Sequence, residues 1–156
     1  MGALLIERVE VGPKRIEALV RAQPALATTA VAPGLAERAI ALLPGLVRHT
    51  CENGAGHGIA AELEATETAH LLEHVAVELM ALAGSPRTLL AETTWDFAAD
   101  GRHVYRVRMG YDVDVVALGA LRAGCIIVDW LMGESAEKPD VGAIVAGLRK
   151  ARQPNG

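Results

Sequence analysis

The densest chemistry in the sequence sits in five residues, His70-Leu71-Leu72-Glu73-His74. On a helix, residues four apart stand one turn apart on one face, with about 5–6 Å between their Cβ atoms. His70 and His74 can therefore converge on one divalent metal, each at the roughly 2.0–2.1 Å of a zinc–imidazole bond. Glu73 projects beside them, where a carboxylate can take a proton from water as a general base. The order His-x-x-Glu-His inverts the zinc-peptidase helix motif. Two imidazoles need a third ligand. Glu78, one turn past His74, keeps a related heading, and the glycine-rich stretch 47–58 offers His49, Cys51 and His57. A thiolate at Cys51 would favour a closed, structural zinc site.

These residues need a helix to hold them, and the sequence supplies one from Thr66 or Thr68 to Ala83. Thr68 is the expected N-cap, and Gly84 followed by Pro86 is the stop. At about 100° per residue, Leu71, Leu72, Val75, Leu79 and Leu82 gather on one side. His70, Glu73, His74 and Glu78 gather on the other, which reads either as the wall of a cleft or as a solvated face.

Around that helix the expected architecture is α+β, a small, mostly antiparallel sheet of about three strands packed with helices. Residues 3–11 read as a strand stopped by Gly12-Pro13, and 15–22 as a short helix or turn before Pro24. Pro33-Gly34 opens a helix that Pro44-Gly45 ends. Residues 89–97 and 103–111 alternate as strands, with Asp100-Gly101 as a tight hairpin turn. Asp112 or Asp114 caps a long apolar helix to about Met132, and Lys138-Pro139-Asp140 opens a last one to about Lys150. Residues 1–156 read as one domain with a frayed tail from 151.

Composition limits the partners. The 156 residues carry 15 Lys plus Arg against 19 Asp plus Glu, a net charge of −4, and only 3% are aromatic. A mildly acidic chain with so few stacking platforms is not expected to bind nucleic acid. No apolar run approaches a membrane span, and Glu7, Arg8 and Glu10 interrupt any leader-like start, so no membrane partner and a cytoplasmic location are expected. Cys125, in an apolar run, reads as a buried thiol, and His103 as exposed. Trp95 and Trp130 read as core or interface fillers. Arg122 and Asp129 mark the polar edge of the long helix or a subunit contact, and the apolar 113–132 is compatible with a homo-oligomer.

A spaced pattern extends well beyond the five-residue motif. Leu42-Leu43-Pro44-Gly45-Leu46, His49-x-Cys51, Gly54, Gly58, His70-x-x-Glu73-His74-Val75-Ala76-Val77-Glu78-Leu79 and Leu82-Ala83-Gly84 together resemble the N-terminal domain of cyanophycin synthetases. Gly12-Pro13-Lys14-Arg15, Tyr105-Arg106-Val107 and Tyr111 fit the same family. The length implies a stand-alone version without the ATP-grasp and Mur-ligase-like domains. The resemblance implies a domain that handles a polymer of aspartate backbone and arginine side groups, and that in some members cuts it like a metallopeptidase. Carried over, His70 and His74 would be metal ligands and Glu73 the catalytic base, with His49 or Glu78 completing the site. Cys51 and His57 remain alternative metal or substrate contacts. The sequence departs from the family at His57-Gly58-Ile59, Glu62-Leu63, Ala65-Thr66-Glu67 and Ser85-Pro86-Arg87-Thr88, where a polymer would be touched.

Three functions follow as expectations. The first is a hydrolase of a peptide or amide bond that uses zinc or another divalent metal. Glu52, Glu62, Glu64 and Glu67 are candidates for its acidic rim, although Glu62 and Glu64 read more readily as a solvated helix face. The second is a non-catalytic module of the same fold that binds a polymer or partner protein. The third is a structural zinc site.

Overall fold

The computed structural model describes residues 2–49 and 58–153. Four strands form one antiparallel sheet: β1 (Leu4–Val11), β2 (Arg15–Ala22), β3 (Ala91–Thr94) and β4 (Val104–Gly110), in the order β1-β2-β4-β3. Among the described residues six α-helices accompany it: α1 (Leu35–Leu42), α2 (Ile59–Glu64), α3 (Thr68–Leu82), α4 (Phe97–Asp100), α5 (Asp114–Leu131) and α6 (Val141–Arg152). The class is α+β as expected, with four strands rather than about three.

The extra strand is β2, which the sequence reading placed in a helix or turn. Its apolar residues recur every second position, so Ile16, Ala18, Val20 and Ala22 are buried on one face while Arg15, Glu17 and Arg21 turn to the other. That period belongs to a strand. On the neighbouring strand, Tyr105, Val107 and Met109 bury on the same side. One face of the sheet thus carries the core, and the opposite face carries Glu17, Arg106 and Arg108, the division that antiparallel sheets permit.

The helices α3 and α5 pack together over the core. Gly124 makes that approach possible, because a Cβ there would stand 2.8 Å from Leu72 Cδ1. Asp140 caps α6 by accepting from the Ala143 amide at 3.0 Å, as the sequence implied. From its last turns, Arg149 donates to the Leu82 carbonyl and Arg152 to that of Ala83. These bonds serve carbonyls at the end of α3 that have no partner within the helix.

Other expectations need correction. The connection from β3 to β4 is not a two-residue turn. The one-turn α4 stands there, started by Asp96, which accepts from the Ala99 amide, and Phe97 packs against Trp95 and Tyr105. Trp95 is therefore 47% exposed at the end of β3 instead of filling the core. Thr68 is the first residue of α3 and not its cap: its hydroxyl donates to the Leu26 carbonyl at 2.5 Å. Val113 occupies the N-cap position of α5, without a side-chain cap. Asp129 anchors the chain start, accepting from the Ala3 amide at 2.7 Å, while Arg122 is exposed. Cys125 and His103 are both partly buried, and burial pushes the Cys125 thiol up to about 12, with the Asp129 charge adding to it. Among the described residues, no helix is long and apolar enough to cross a membrane.

Candidate metal centre

The site begins with how α3 is entered. Thr66 is pinned from both sides: its amide donates to Thr29 Oγ1 at 2.9 Å, and its carbonyl accepts from the Thr29 amide at 2.8 Å. The Thr68 hydroxyl and amide then tie the first turn to Leu26 and Ala27. This fixed entry sets the rotation of the helix, and with it the heading of His70, Glu73 and His74.

Both faces of the wheel turn out to be buried. Glu78 is 1% exposed, His74 4% and Glu73 7%, so their side of α3 is not a solvated face. The segment that covers it is the 3-10 helix Pro44–Arg48, which carries His49. Gly45 is what lets this segment lie so close, since a Cβ there would stand 2.0 Å from Glu78 Oε2.

The imidazoles form an ordered row. His70 Nε2 and His74 Nε2 are 3.0 Å apart, His74 Nδ1 and His49 Nδ1 are 2.9 Å apart, and His49 Nε2 lies 2.9 Å from Glu78 Oε1. Arg87 clasps Glu78 with two bonds, at 2.8 and 3.2 Å. Burial alone would raise the Glu78 carboxyl, but the bonds from His49 and Arg87, with the Arg87 charge, outweigh it and hold the group at about 2. An ionised carboxylate only accepts, so His49 Nε2 carries the proton. In the neutral form of His49, Nδ1 then accepts from His74 Nδ1–H, and His74 turns the lone pair of Nε2 toward His70. Burial pushes His74 down to about 3, helped by its two imidazole neighbours, so that ring is neutral.

A second relay supports His70. Its Nδ1 lies 2.9 Å from Thr66 Oγ1, whose hydroxyl donates to Glu67 Oε2 at 3.2 Å. His70 and His74 each thus have Nδ1 tied through one intermediate to a carboxylate, the outer support that metal-ligating histidines use. Two Nε2 atoms bound to one tetrahedral ion at roughly 2.0–2.1 Å would lie about 3.3 Å apart, close to the observed separation. The donor atoms of His70, Glu73 and His74 all lie within 4.8 Å of one another. The two imidazole nitrogens, their spacing and their outer support all fit zinc or a similar divalent ion.

Glu73 stands on the open side of the pair. Thr93 Oγ1 donates to its Oε1 at 2.9 Å, leaving Oε2 turned toward His74 Nε2 at 4.0 Å. Burial raises this carboxyl above its ordinary value, against the opposing pull of the Thr93 bond. The group opens on a cleft of about 1390 Å³ between α3 and β3.

The sequence-derived candidates therefore separate by position. His70, Glu73 and His74 share one point. His49 and Glu78 lie in the row behind His74, and Cys51, His57 and Glu52 lie outside the described residues. Of the acidic rim, Glu62 and Glu67 line the cleft and Glu64 is exposed elsewhere. Thr66, Thr93, Arg87 and Gly45 were missed. Thr66 stands four residues before His70, so helical spacing could have suggested it. Thr93 and Arg87 reach the site through tertiary structure and left no local signal.

Comparison with known proteins adds one finding. The family model for the cyanophycin synthase-like N-terminal domain matches residues 18–133, a span that contains every residue of the site just described. No curated protein matches the chain.

Proposed function

The chain belongs to the cyanophycin synthase-like N-terminal domain family, and from that premise we propose that it is a metal-dependent hydrolase of a peptide or amide bond. The observation that carries the reading is the 3.0 Å convergence of His70 Nε2 and His74 Nε2, with Glu73 beside them in the same cleft. His70 and His74 would hold zinc or another divalent ion. Such an ion supplies Lewis acidity, polarising an amide carbonyl and lowering the pKa of water.

The protein's own groups do the rest. Glu73 Oε2 accepts a proton from the attacking water and returns it to the departing amine nitrogen. The Thr93 hydroxyl holds Oε1 and so fixes which carboxylate oxygen faces the reaction. The relays through His49 to Glu78 and through Thr66 to Glu67 keep both Nδ1 atoms protonated and both rings in one orientation. A cleft with both acidic and basic walls suits a substrate bearing both charges, such as an aspartate polymer with arginine side groups.

Metal content and turnover test the reading. Purified protein should hold about one equivalent of divalent metal, and a His70→Ala/His74→Ala double variant almost none. Glu73→Gln should keep the metal and lose hydrolysis of peptides or arginine-bearing aspartate polymers by at least about 100-fold. Equal, negligible metal in both proteins removes the metal centre. Bound metal with inert wild type and intact polymer binding would leave a binding module of the same fold.

A further inference from the structure

We infer that the outer edge of β3 is the docking strand for an extended peptide, which pairs with it antiparallel and passes in front of His70, Glu73 and His74. The inference deepens the hydrolase reading above and rests on it for what happens after binding.

The hydrogen-bond phase of β3 carries the argument. Gly110 donates to the Leu90 carbonyl at 2.8 Å, and the register pairs Ala91 with Met109, Glu92 with Arg108, Thr93 with Val107 and Thr94 with Arg106. In an antiparallel ladder, bonded and non-bonded pairs alternate. Leu90, Glu92 and Thr94 thus spend their backbone groups on β4, while Ala91 and Thr93 turn theirs outward. β3 ends the sheet on that side, and among the described residues no backbone hydrogen bond reaches its outer edge. The side chains of Ala91 and Thr93 point to the same side as Met109 and Val107, where Thr93 meets Glu73. The row of outward amides and the imidazole pair therefore border one cleft.

An open edge is normally blunted, because it recruits other strands. Here it is flanked by Leu90, 86% exposed, and the half-exposed Trp95, two apolar surfaces suited to cover the side chains of a guest strand. Charge sets the direction of that strand. The Trp95 end is acidic: Tyr105 packs edge-on against Trp95, burial and then the Glu67 charge raise its hydroxyl, and Glu62 and Glu67 line the same cleft. The Ala91 end is basic: Arg87 lines the cleft four residues before Ala91, and Lys14 and Arg15 line it from the start of β2, across β4. A peptide antiparallel to β3 runs from the Trp95 end to the Ala91 end. Its amino-terminal side then lies toward the carboxylates and its carboxyl-terminal side toward the cations. Strand addition of this kind takes affinity from the main chain and selectivity from alternate side chains.

The test uses a fluorescein-labelled ten-residue peptide of alternating aspartate and arginine, with binding measured by anisotropy on chelator-treated protein so that no turnover enters. Ala91→Pro removes only an outward N–H and leaves the bonds to β4, a placement that edge strands tolerate. Its affinity should fall at least tenfold with an unchanged melting temperature. Independently of any variant, N-methylation of the peptide should weaken binding at alternate positions only, with a period of two. Equal binding by parent and variant, a scan without that period, or no binding by the parent overturns the proposal. A dimer that Ala91→Pro dissolves would give the edge to a second copy of the chain and also overturn it. Period-two binding by a protein that never holds metal sinks the hydrolase reading alone. Cleavage with a flat scan sinks the docking strand alone.

Discussion

Two carboxylates, each held by a pair of basic side chains, show what burial does to the same chemistry. Glu17 lies on the outer face of the sheet, where Arg106 and Arg108 reach it at 3.0 and 2.5 Å. Glu78 lies under the Pro44–Arg48 segment, where His49 and Arg87 reach it at 2.9 and 2.8 Å. The distances are similar and the surroundings are not. Water screens the outer cluster, so its bonds replace hydration of nearly equal quality. Around Glu78 the charge has lost its water and depends on its partners, and its direction is fixed because nothing else can solvate it. An ion pair on the outer face adds little, whereas the buried one sets the tautomer of His49 and, through it, the heading of His74. The lesson is that the fully buried acid orients while the partly exposed one decorates.

The largest test of that contrast is Glu78→Ala. It leaves Arg87 and the buried His49 without their anion, and should lower unfolding stability by about 3 kcal/mol, read from urea melts. A cost below about 1 kcal/mol would place the buried pair in the class of surface pairs. Gly45→Ala should follow, at about 1–3 kcal/mol for an overpacked contact, because the new Cβ would stand 2.0 Å from Glu78 Oε2. In a Glu78→Ala background most of that cost should vanish, and a double-mutant cycle measures the coupling. Additive costs would mean that Gly45 answers to something other than the carboxylate.

How legible these two regions were differs in the same way. The spacing of His70, Glu73 and His74 announced both the helix and the convergence, because the period of a helix is a local property. That Glu78 points behind His74, instead of to the same point, depends on where the Pro44–Arg48 segment lands, which no local pattern encodes. By local pattern Pro44-Gly45 read as a helix stop, although its glycine also makes room for Glu78. The strand at Arg15–Ala22 was missed for another reason. Two of its inward residues are alanines, so its alternation is faint in the sequence and plain only once its partners β1 and β4 are in register. The α+β class, the long helices and the antiparallel partnership of β3 and β4 were readable. The one-turn helix between those strands was not, because Asp100-Gly101 also fits a tight turn.

Between the extremes stands Asp112, which links Arg152 of α6 to Ser85 just past α3. The bonds from Arg152 lead, with Ser85 helping against partial burial, and hold Asp112 at about 2, below its ordinary 3.8. A carboxyl lowered on folding stabilises the protein above its unfolded pKa and loses that contribution as pH falls through its folded one. Wild type should therefore lose about 1 kcal/mol, after solvent screening, between about pH 5 and pH 2 that Asp112→Asn does not lose. The difference between their stability–pH curves measures it. Parallel curves would mean the Arg152 contact contributes nothing in solution.

The smallest effect is the most demanding test of the comparison. Glu17→Gln keeps the shape of the side chain, removes the charge facing Arg106 and Arg108, and leaves one of the two arginines without its acceptor. The Arg108 bond leads in lowering the Glu17 carboxyl, against the opposing contribution of burial. The stability change should nevertheless stay within about 1 kcal/mol. It should also shrink as salt is raised from about 0.05 to 1 M, since the Debye length then falls to about 3 Å. The cost of Glu78→Ala should barely respond to the same change, because ions do not enter its surroundings. If Glu17→Gln instead cost as much as Glu78→Ala and ignored salt, burial would not be what separates the two acids. The special position of Glu78 would then have to come from His49 itself.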